Sequence, residues 1–80
     1  MNKKIKKEKV FDTPLSRLVI ETGEFPKMIA VRASVHPKSF ESYMIGTRRP
    51  KLDTARLIAA YLSLKLQREV TLDEIFPAVS

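Results

Sequence analysis

The chain has 80 residues and a formal net charge of +6, and it contains no cysteine. That length allows one small domain, and the lack of cysteine excludes a disulfide framework, a thiolate metal site and a cysteine nucleophile. No apolar run approaches the roughly 18 residues of a membrane span, and no signal-type apolar segment follows the lysine-rich start. We therefore expect a soluble cytoplasmic protein with no cofactor, metal or membrane partner.

The positive charge is concentrated in two regions. Residues 1–9 carry five lysines against Glu8, and residues 25–51 carry six basic residues against Glu41. A basic arm beside a basic central third indicates an anionic partner, with nucleic acid first. We predict that residues 1–10 form a disordered arm and that the domain covers 11–80. The arm could add salt-dependent affinity for DNA or act only as a solubilising tail. Its lysines are Lys3, Lys4, Lys6, Lys7 and Lys9.

Proline and glycine mark the first two predicted helices. In "DTPLSRLVIETG", Thr13 or Asp12 is a candidate N-cap and Pro14 takes the first helical position. Gly23 ends this helix. Its apolar face would carry Leu15, Leu18, Val19 and Thr22. In "EFPKMIAVRAS", Pro26 begins a second helix of about two turns. The inner side of that helix would carry Ile29, Ala30 and Ala33.

The third predicted helix lies in "HPKSFESYMIG". His36 stands at the N-cap position, Pro37 opens the helix and Gly46 ends it. The inner face would carry Phe40, Tyr43 and Met44. His36 is the only histidine of the chain, so we expect it to cap the helix or contact a phosphate rather than bind a metal.

A basic turn, "TRRPK", precedes the last two predicted helices. The fourth helix begins near Asp53, and its apolar stripe would hold Leu57, Ile58, Tyr61, Leu62 and Leu64. Its end is ambiguous because "LSLKLQ" also alternates like a strand, although the alanine-rich lead-in favours helix. Thr71 and Glu74 match a capping box for a short final helix. The sequence therefore predicts an all-α, compact bundle of about five short helices.

Two short helices joined by a tight turn form a helix-turn-helix, whose second helix lies in the DNA major groove. Here the pair would be Pro26–Ala33 and Pro37–Ile45. Their apolar skeleton is Ile29, Ala30, Ala33, Val35, Phe40 and Tyr43. Together with Gly46, "TRRP", the Ile58-Ala59 step and "TLDEIF", this spacing resembles the phage-repressor and Cro-like helix-turn-helix family of the xenobiotic-response-element type. The resemblance implies a lambda-repressor-like DNA-binding domain in a transcriptional regulator, most simply a repressor.

The sequence departs from that family at four places. A leucine is frequent where Glu24 stands, and we expect Phe25 to take over its packing. Pro26 replaces a glutamine that bonds a phosphate and braces the reading helix, so we expect Lys27 to supply the phosphate contact. Ser34 replaces a turn glycine, and either the backbone there is left-handed at a cost of about 1 kcal/mol or the turn differs slightly. The link between the last two helices, "SLKLQREV", is longer than usual in the family, so the resemblance does not define a dimer surface.

The outer face of the third helix carries the candidate base readers, which are Lys38, Ser39, Glu41 and Ser42. Lys38 can donate to guanine, and Glu41 can accept from cytosine N4 or disfavour a wrong base. Ile45 could meet a thymine methyl. Candidate phosphate contacts are Lys27, His36, Arg48, Arg49 and Lys51. One arginine could instead enter a narrow minor groove. From composition alone, without the resemblance to this family, the same helix face would be an ordinary solvated surface.

The predicted function is sequence-specific binding of double-stranded DNA, and we expect a non-enzyme because no nucleophile or carboxylate pair has a base or a phosphate-binding loop beside it. One alternative is an antitoxin or mobile-element regulator with the same domain. Another is a protein-interaction module that binds an acidic partner through its basic face. The carboxyl-terminal apolar residues could form a homodimer interface or pack under the fourth helix. They are Leu64, Leu66, Val70, Leu72, Ile75 and Phe76.

Overall fold

Five α-helices follow one another with short connections in the computed structural model, which describes residues 13–77. They are α1 (Pro14–Thr22), α2 (Pro26–Arg32), α3 (Pro37–Ile45), α4 (Leu52–Leu66) and α5 (Leu72–Ile75). No strand occurs within 13–77, so the predicted all-α architecture of five short helices is confirmed. The ambiguous "LSLKLQ" segment is helical as far as Leu66. The lysine arm and the predicted boundary at residue 11 lie outside the described residues.

The predicted N-caps are confirmed by side-chain hydrogen bonds. Thr13 Oγ1 accepts from the backbone N–H of Ser16 over 3.1 Å, and Thr71 Oγ1 accepts from that of Glu74 over 3.2 Å. A proline occupies the first turn of α1, α2 and α3. Each such proline costs no hydrogen bond, because an N–H at that position has no partner inside the helix.

The core lies where the helices meet. Its most deeply buried large side chains are Leu15, Val19, Ile29, Phe40, Ile58 and Leu62. Each contributes about 1.5–3 kcal/mol of apolar burial. Ala30, which was predicted on the inner side of the second helix, is fully buried as well. Because these side chains come from α1, α2, α3 and α4, those four helices share one core. Burial of Phe40 in that core fixes the rotation of α3 about its own axis.

The predicted apolar stripe of α4 is wrong at two residues. Leu57 and Leu64 are 48% and 73% exposed. The buried row of α4 is Ala55, Ile58, Ala59 and Leu62. At about 100° per residue, Leu57 and Leu64 point well away from the centre of that row. Alanines hold two of these four inner places, and Ile58 and Leu62 hold the other two.

The carboxyl-terminal apolar residues pack mainly inward. Val70 and Ile75 are buried, and Leu66, Leu72 and Phe76 are partly buried against the core. The core-packing alternative therefore accounts for five of the six residues considered for a dimer interface. Only Leu64 projects largely into solvent.

The loop between α1 and α2 differs from the prediction. Phe25 is 77% exposed, so it does not supply the packing expected of it. Glu24 turns inward instead, with a side chain that is 19% exposed. Its carboxylate accepts a hydrogen bond from Tyr61 Oη over 2.6 Å and lies 3.0 Å from Lys65 Nζ. Arg32 Nη1 donates to the same carboxylate over 3.4 Å. A polar cluster thus ties this loop to α4 where a leucine was anticipated.

The hydrogen bond from Tyr61, followed by the contact with Lys65, lowers the pKa of Glu24 from its ordinary value of 4.5. A carboxylate with a lowered folded-state pKa contributes stability above its unfolded pKa and loses it as the pH falls through the folded value. We expect the free energy of unfolding in urea to differ between the wild-type protein and Glu24→Gln. The difference should be constant near neutral pH and should shrink below about pH 4.5. In Tyr61→Phe, the pKa of Glu24, measured by NMR titration of its carboxyl group, should rise. An unchanged pKa would contradict the role assigned to the hydrogen bond from Tyr61.

No helix within 13–77 is long and apolar enough to cross a bilayer.

Candidate nucleic-acid interface

A tight turn joins α2 to α3. The N–H of Val35 donates to the carbonyl of Ala30 over 2.8 Å, and the N–H of Ser34 donates to that of Val31 over 3.1 Å. These two bonds form a Schellman motif, which requires a left-handed residue just past the helix. Ser34 fills that place with φ 62°. The left-handed alternative predicted for this serine is therefore confirmed.

We expect Ser34→Gly to stabilise the domain by about 1 kcal/mol, because glycine adopts the left-handed region without the Cβ clash. The increased flexibility of glycine in the unfolded chain would offset part of that gain. Ser34→Ala is the matched control, since it removes the exposed hydroxyl and keeps the Cβ. Thermal and urea unfolding of both variants test the expectation. Equal stabilities for the glycine and alanine variants would show that the backbone strain is not relieved.

The carboxyl end of α3 is held by α1. The carbonyl of Met44 accepts hydrogen bonds from Thr13 Oγ1 over 2.6 Å and from Ser16 Oγ over 3.2 Å. Gly46 then ends α3 with φ 97°, as predicted. The sequence reasoning missed Ser16, which is buried among apolar neighbours. A serine on the apolar side of a helix was the only signal that could have revealed it.

The inner and outer faces of α3 are arranged as predicted. Phe40 and Met44 are buried, and Tyr43 is partly buried against the core. On the other side, Lys38 and Glu41 are exposed. Ser39 and Ser42 are half-buried, and the hydroxyl of Ser42 donates to the carbonyl of Lys38 over 3.3 Å. Ile45 is exposed beside them.

An open cleft of about 340 Å³ lies between the beginnings of α2 and α3. Lys27 and Lys38 both line it, and Glu41 lies at the same cleft. Its remaining lining is Pro26, Pro37 and Met44. The fold thus brings a predicted phosphate contact and two predicted base readers to one surface. Lys27 and Lys38 are eleven positions apart in the sequence and become neighbours of this cleft through the turn at Ser34.

His36 caps α3. Its Nδ1 atom accepts from the N–H of Lys38 over 3.2 Å, and the ring is exposed. Nε2 is therefore the ring atom left to contact a phosphate. In the part of the chain that the structure describes, no group of three or more histidine, cysteine, aspartate or glutamate side chains is suited to hold a metal ion.

The predicted phosphate contacts after α3 differ in how they contact the rest of the protein. The guanidinium of Arg48 lies 6.0 Å from the centre of the Tyr43 ring, at the outer limit of a cation–π contact. Arg49 Nη2 donates to the carbonyl of Phe76 over 2.7 Å, which holds this side chain toward α5. Lys51 is exposed immediately before α4. Arg48 and Lys51 are thus the cations of this turn least engaged by the protein itself.

No family model, curated protein or solved structure matches this chain. The candidate interface is therefore defined by its own geometry. It consists of the outer face of α3, the cleft beside it and the basic turn that follows. The cations it gathers are Lys27, Lys38, Arg48, Arg49 and Lys51.

Proposed function

We propose that this chain is a sequence-specific DNA-binding transcriptional regulator of the phage-repressor and Cro-like helix-turn-helix type. The observation that carries the proposal is the two-sided construction of α3. Phe40 and Met44 are buried on its inner side, while Lys38, on the opposite side, and Glu41, beside it, are exposed. A short helix held in this way can enter the major groove, about 12 Å wide, without rotating about its own axis.

Base recognition falls to the exposed side chains of α3. Lys38 donates to O6 or N7 of a guanine, and Glu41 accepts from N4 of a cytosine. Ser42 already donates to the carbonyl of Lys38, so its hydroxyl oxygen serves as an acceptor. Ser39 lies at the margin and contributes when the helix tilts toward it. Lys38 makes the largest contribution because it combines a base contact with attraction to the phosphates.

Phosphate contacts position α3 in the groove. Lys27 approaches the backbone from α2, and Arg48 and Lys51 approach it from the turn after α3. Arg49 keeps free N–H groups besides the one bonded to Phe76, since a guanidinium carries five donors. Each neutralised phosphate releases counterions, so affinity falls steeply as salt rises.

Regulation follows most simply from occupancy, in which the bound protein blocks polymerase at its site. Two copies would place their α3 helices on half-sites about 34 Å apart, one turn of DNA. An inverted repeat is therefore the expected operator. Leu57 and Leu64, both on α4, are among the exposed apolar side chains that such pairing could use.

A protein-interaction module remains the second candidate. The exposed apolar side chains of Phe25, Leu57 and Leu64 favour it. An acidic partner would then meet the basic face that we assign to DNA. Both candidates predict strong salt dependence, but only the first predicts discrimination among DNA sequences at fixed salt.

The deciding experiment is selection from a randomised duplex library at about 150 mM salt, where attraction to phosphate alone is weakened. We expect enrichment of a short motif, arranged as an inverted repeat if two copies bind. A parallel selection with Lys38→Ala should lose part of that motif. Recovery of unselected sequence by the wild-type protein would refute sequence-specific reading and favour the protein-interaction module.

A further inference from the structure

A second cavity, of about 350 Å³, opens on a different part of the molecule. It lies between the start of α1, the end of α3 and the segment around α5. Its walls include Thr13, Tyr43, Thr47 and Phe76, and both Arg48 and Arg49 line it. Among residues 13–77, no side chain that lines this cavity carries a carboxylate. The DNA-reading proposal uses Arg48 and Arg49 as phosphate contacts and gives the rest of this cavity no role.

The two arginines that line the cavity make different contacts within the protein. Arg49 is fixed by its 2.7 Å hydrogen bond to the carbonyl of Phe76, and its other N–H groups remain available. Arg48 lies over the Tyr43 ring. A guanidinium presents a planar fork that matches a carboxylate with two parallel hydrogen bonds. Within the described residues 13–77 no lining carboxylate neutralises them, so these cations favour a bound anion.

The cavity also has aromatic walls. Tyr43 and Phe76 meet edge to face, with ring centres 6.4 Å apart and planes at 88°. Both rings line the cavity, so a planar guest there would pack against aromatic side chains. Ligand pockets of about 300 Å³ or more commonly combine such apolar walls with a few fixed polar groups. The hydroxyl of Thr47 adds a small polar group near the arginines.

We infer that this cavity is a binding site for a small planar aromatic anion, with a ring against Tyr43 and Phe76 and a carboxylate on Arg48 and Arg49. Such a ligand would contact both the carboxyl end of α3 and the segment after α5. The inference goes beyond the proposed function and does not depend on DNA binding.

Titration with three matched probes tests it, with amide NMR shifts of the full chain as the readout. Benzoate carries both the ring and the charge, cyclohexanecarboxylate carries the charge without an aromatic ring, and benzyl alcohol carries the ring without the charge. We expect benzoate to shift Gly46, Thr47 and Phe76 with a Kd on the order of 1 mM, and the other two probes to bind about tenfold more weakly. Ionic strength is held constant with chloride.

Each other outcome overturns a defined part of the inference. Equal binding of cyclohexanecarboxylate would remove the aromatic class of ligand, and equal binding of benzyl alcohol would remove the role of the arginines. Benzoate shifts that are absent, or confined to the cleft at Lys27 and Lys38, would refute the site. No DNA is present, so the result is independent of the selection experiment.

A pair of arginine variants locates the charge. Arg48→Gln should weaken benzoate binding about tenfold, as expected for the loss of a charged hydrogen-bond donor. Arg56→Gln, at an exposed arginine of α4 outside the cavity, should leave it unchanged. Circular dichroism of both variants establishes that they fold. Equal benzoate affinities in two folded variants would refute the arginine contact.

Discussion

Lys38→Ala is expected to weaken binding to the selected DNA site by about 1–3 kcal/mol, or roughly 5–150-fold. Lys38 is exposed on α3. Its hydrogen bond to His36 uses the backbone N–H, so that bond leaves the side-chain ammonium group free to enter the groove. The loss should be concentrated at one base position, at which the variant accepts other bases. Quantitative binding to a set of single-base operator variants measures both effects.

Arg48→Ala provides the contrast. Its guanidinium lies in the turn after α3 and is expected to contact phosphate, so its removal should weaken all sequences similarly. The slope of log affinity against log salt should become shallower by about 1. If Lys38→Ala and Arg48→Ala instead caused equal losses on every sequence, α3 would not be the reading helix.

The boundaries of α1 and α3 and the start of α5 were predictable because local chemistry determines them. Thr13, His36 and Thr71 each cap a helix with their own side chain, and Gly23 and Gly46 provide the left-handed endings. Such bonds span only two to four residues, so neighbouring letters of the sequence reveal them. The outward placement of Lys38 followed from the same local pattern, since helical rotation places it opposite Phe40.

The longest-range contacts that the sequence reasoning missed join residues on different helices or loops. Tyr61 bonds Glu24 across 37 positions, and Arg49 bonds Phe76 across 27. Apolar packing by Phe25 was expected in this loop. No residue near Glu24 in the sequence indicates that its carboxylate would accept a hydrogen bond from a tyrosine on α4. Leu57 and Leu64 were misplaced on α4 for a similar reason, because only packing decides which of its apolar side chains are inner.

Phe40→Ala is expected to have the largest effect on stability, about 3–5 kcal/mol. Phe40 is 1% exposed on the inner face of α3, where it contributes to the core shared by α1, α2 and α4. A domain of this size typically has only about 5–10 kcal/mol in total. The midpoint of thermal unfolding should therefore fall by at least about 12 °C, as followed by circular dichroism.

Phe25→Ala is the matched control, because it deletes the same atoms from a side chain that is 77% exposed. We expect it to change stability by no more than about 0.5 kcal/mol. The pair also separates folding from recognition. Phe40→Ala should lose DNA binding in proportion to the unfolded fraction and recover it on cooling toward the temperature of maximum stability, whereas Lys38→Ala should remain folded and keep its defect at every temperature. A Phe40→Ala protein as stable as Phe25→Ala would mean that α3 is not held by its inner face, and the outward register of Lys38 would lose its physical basis.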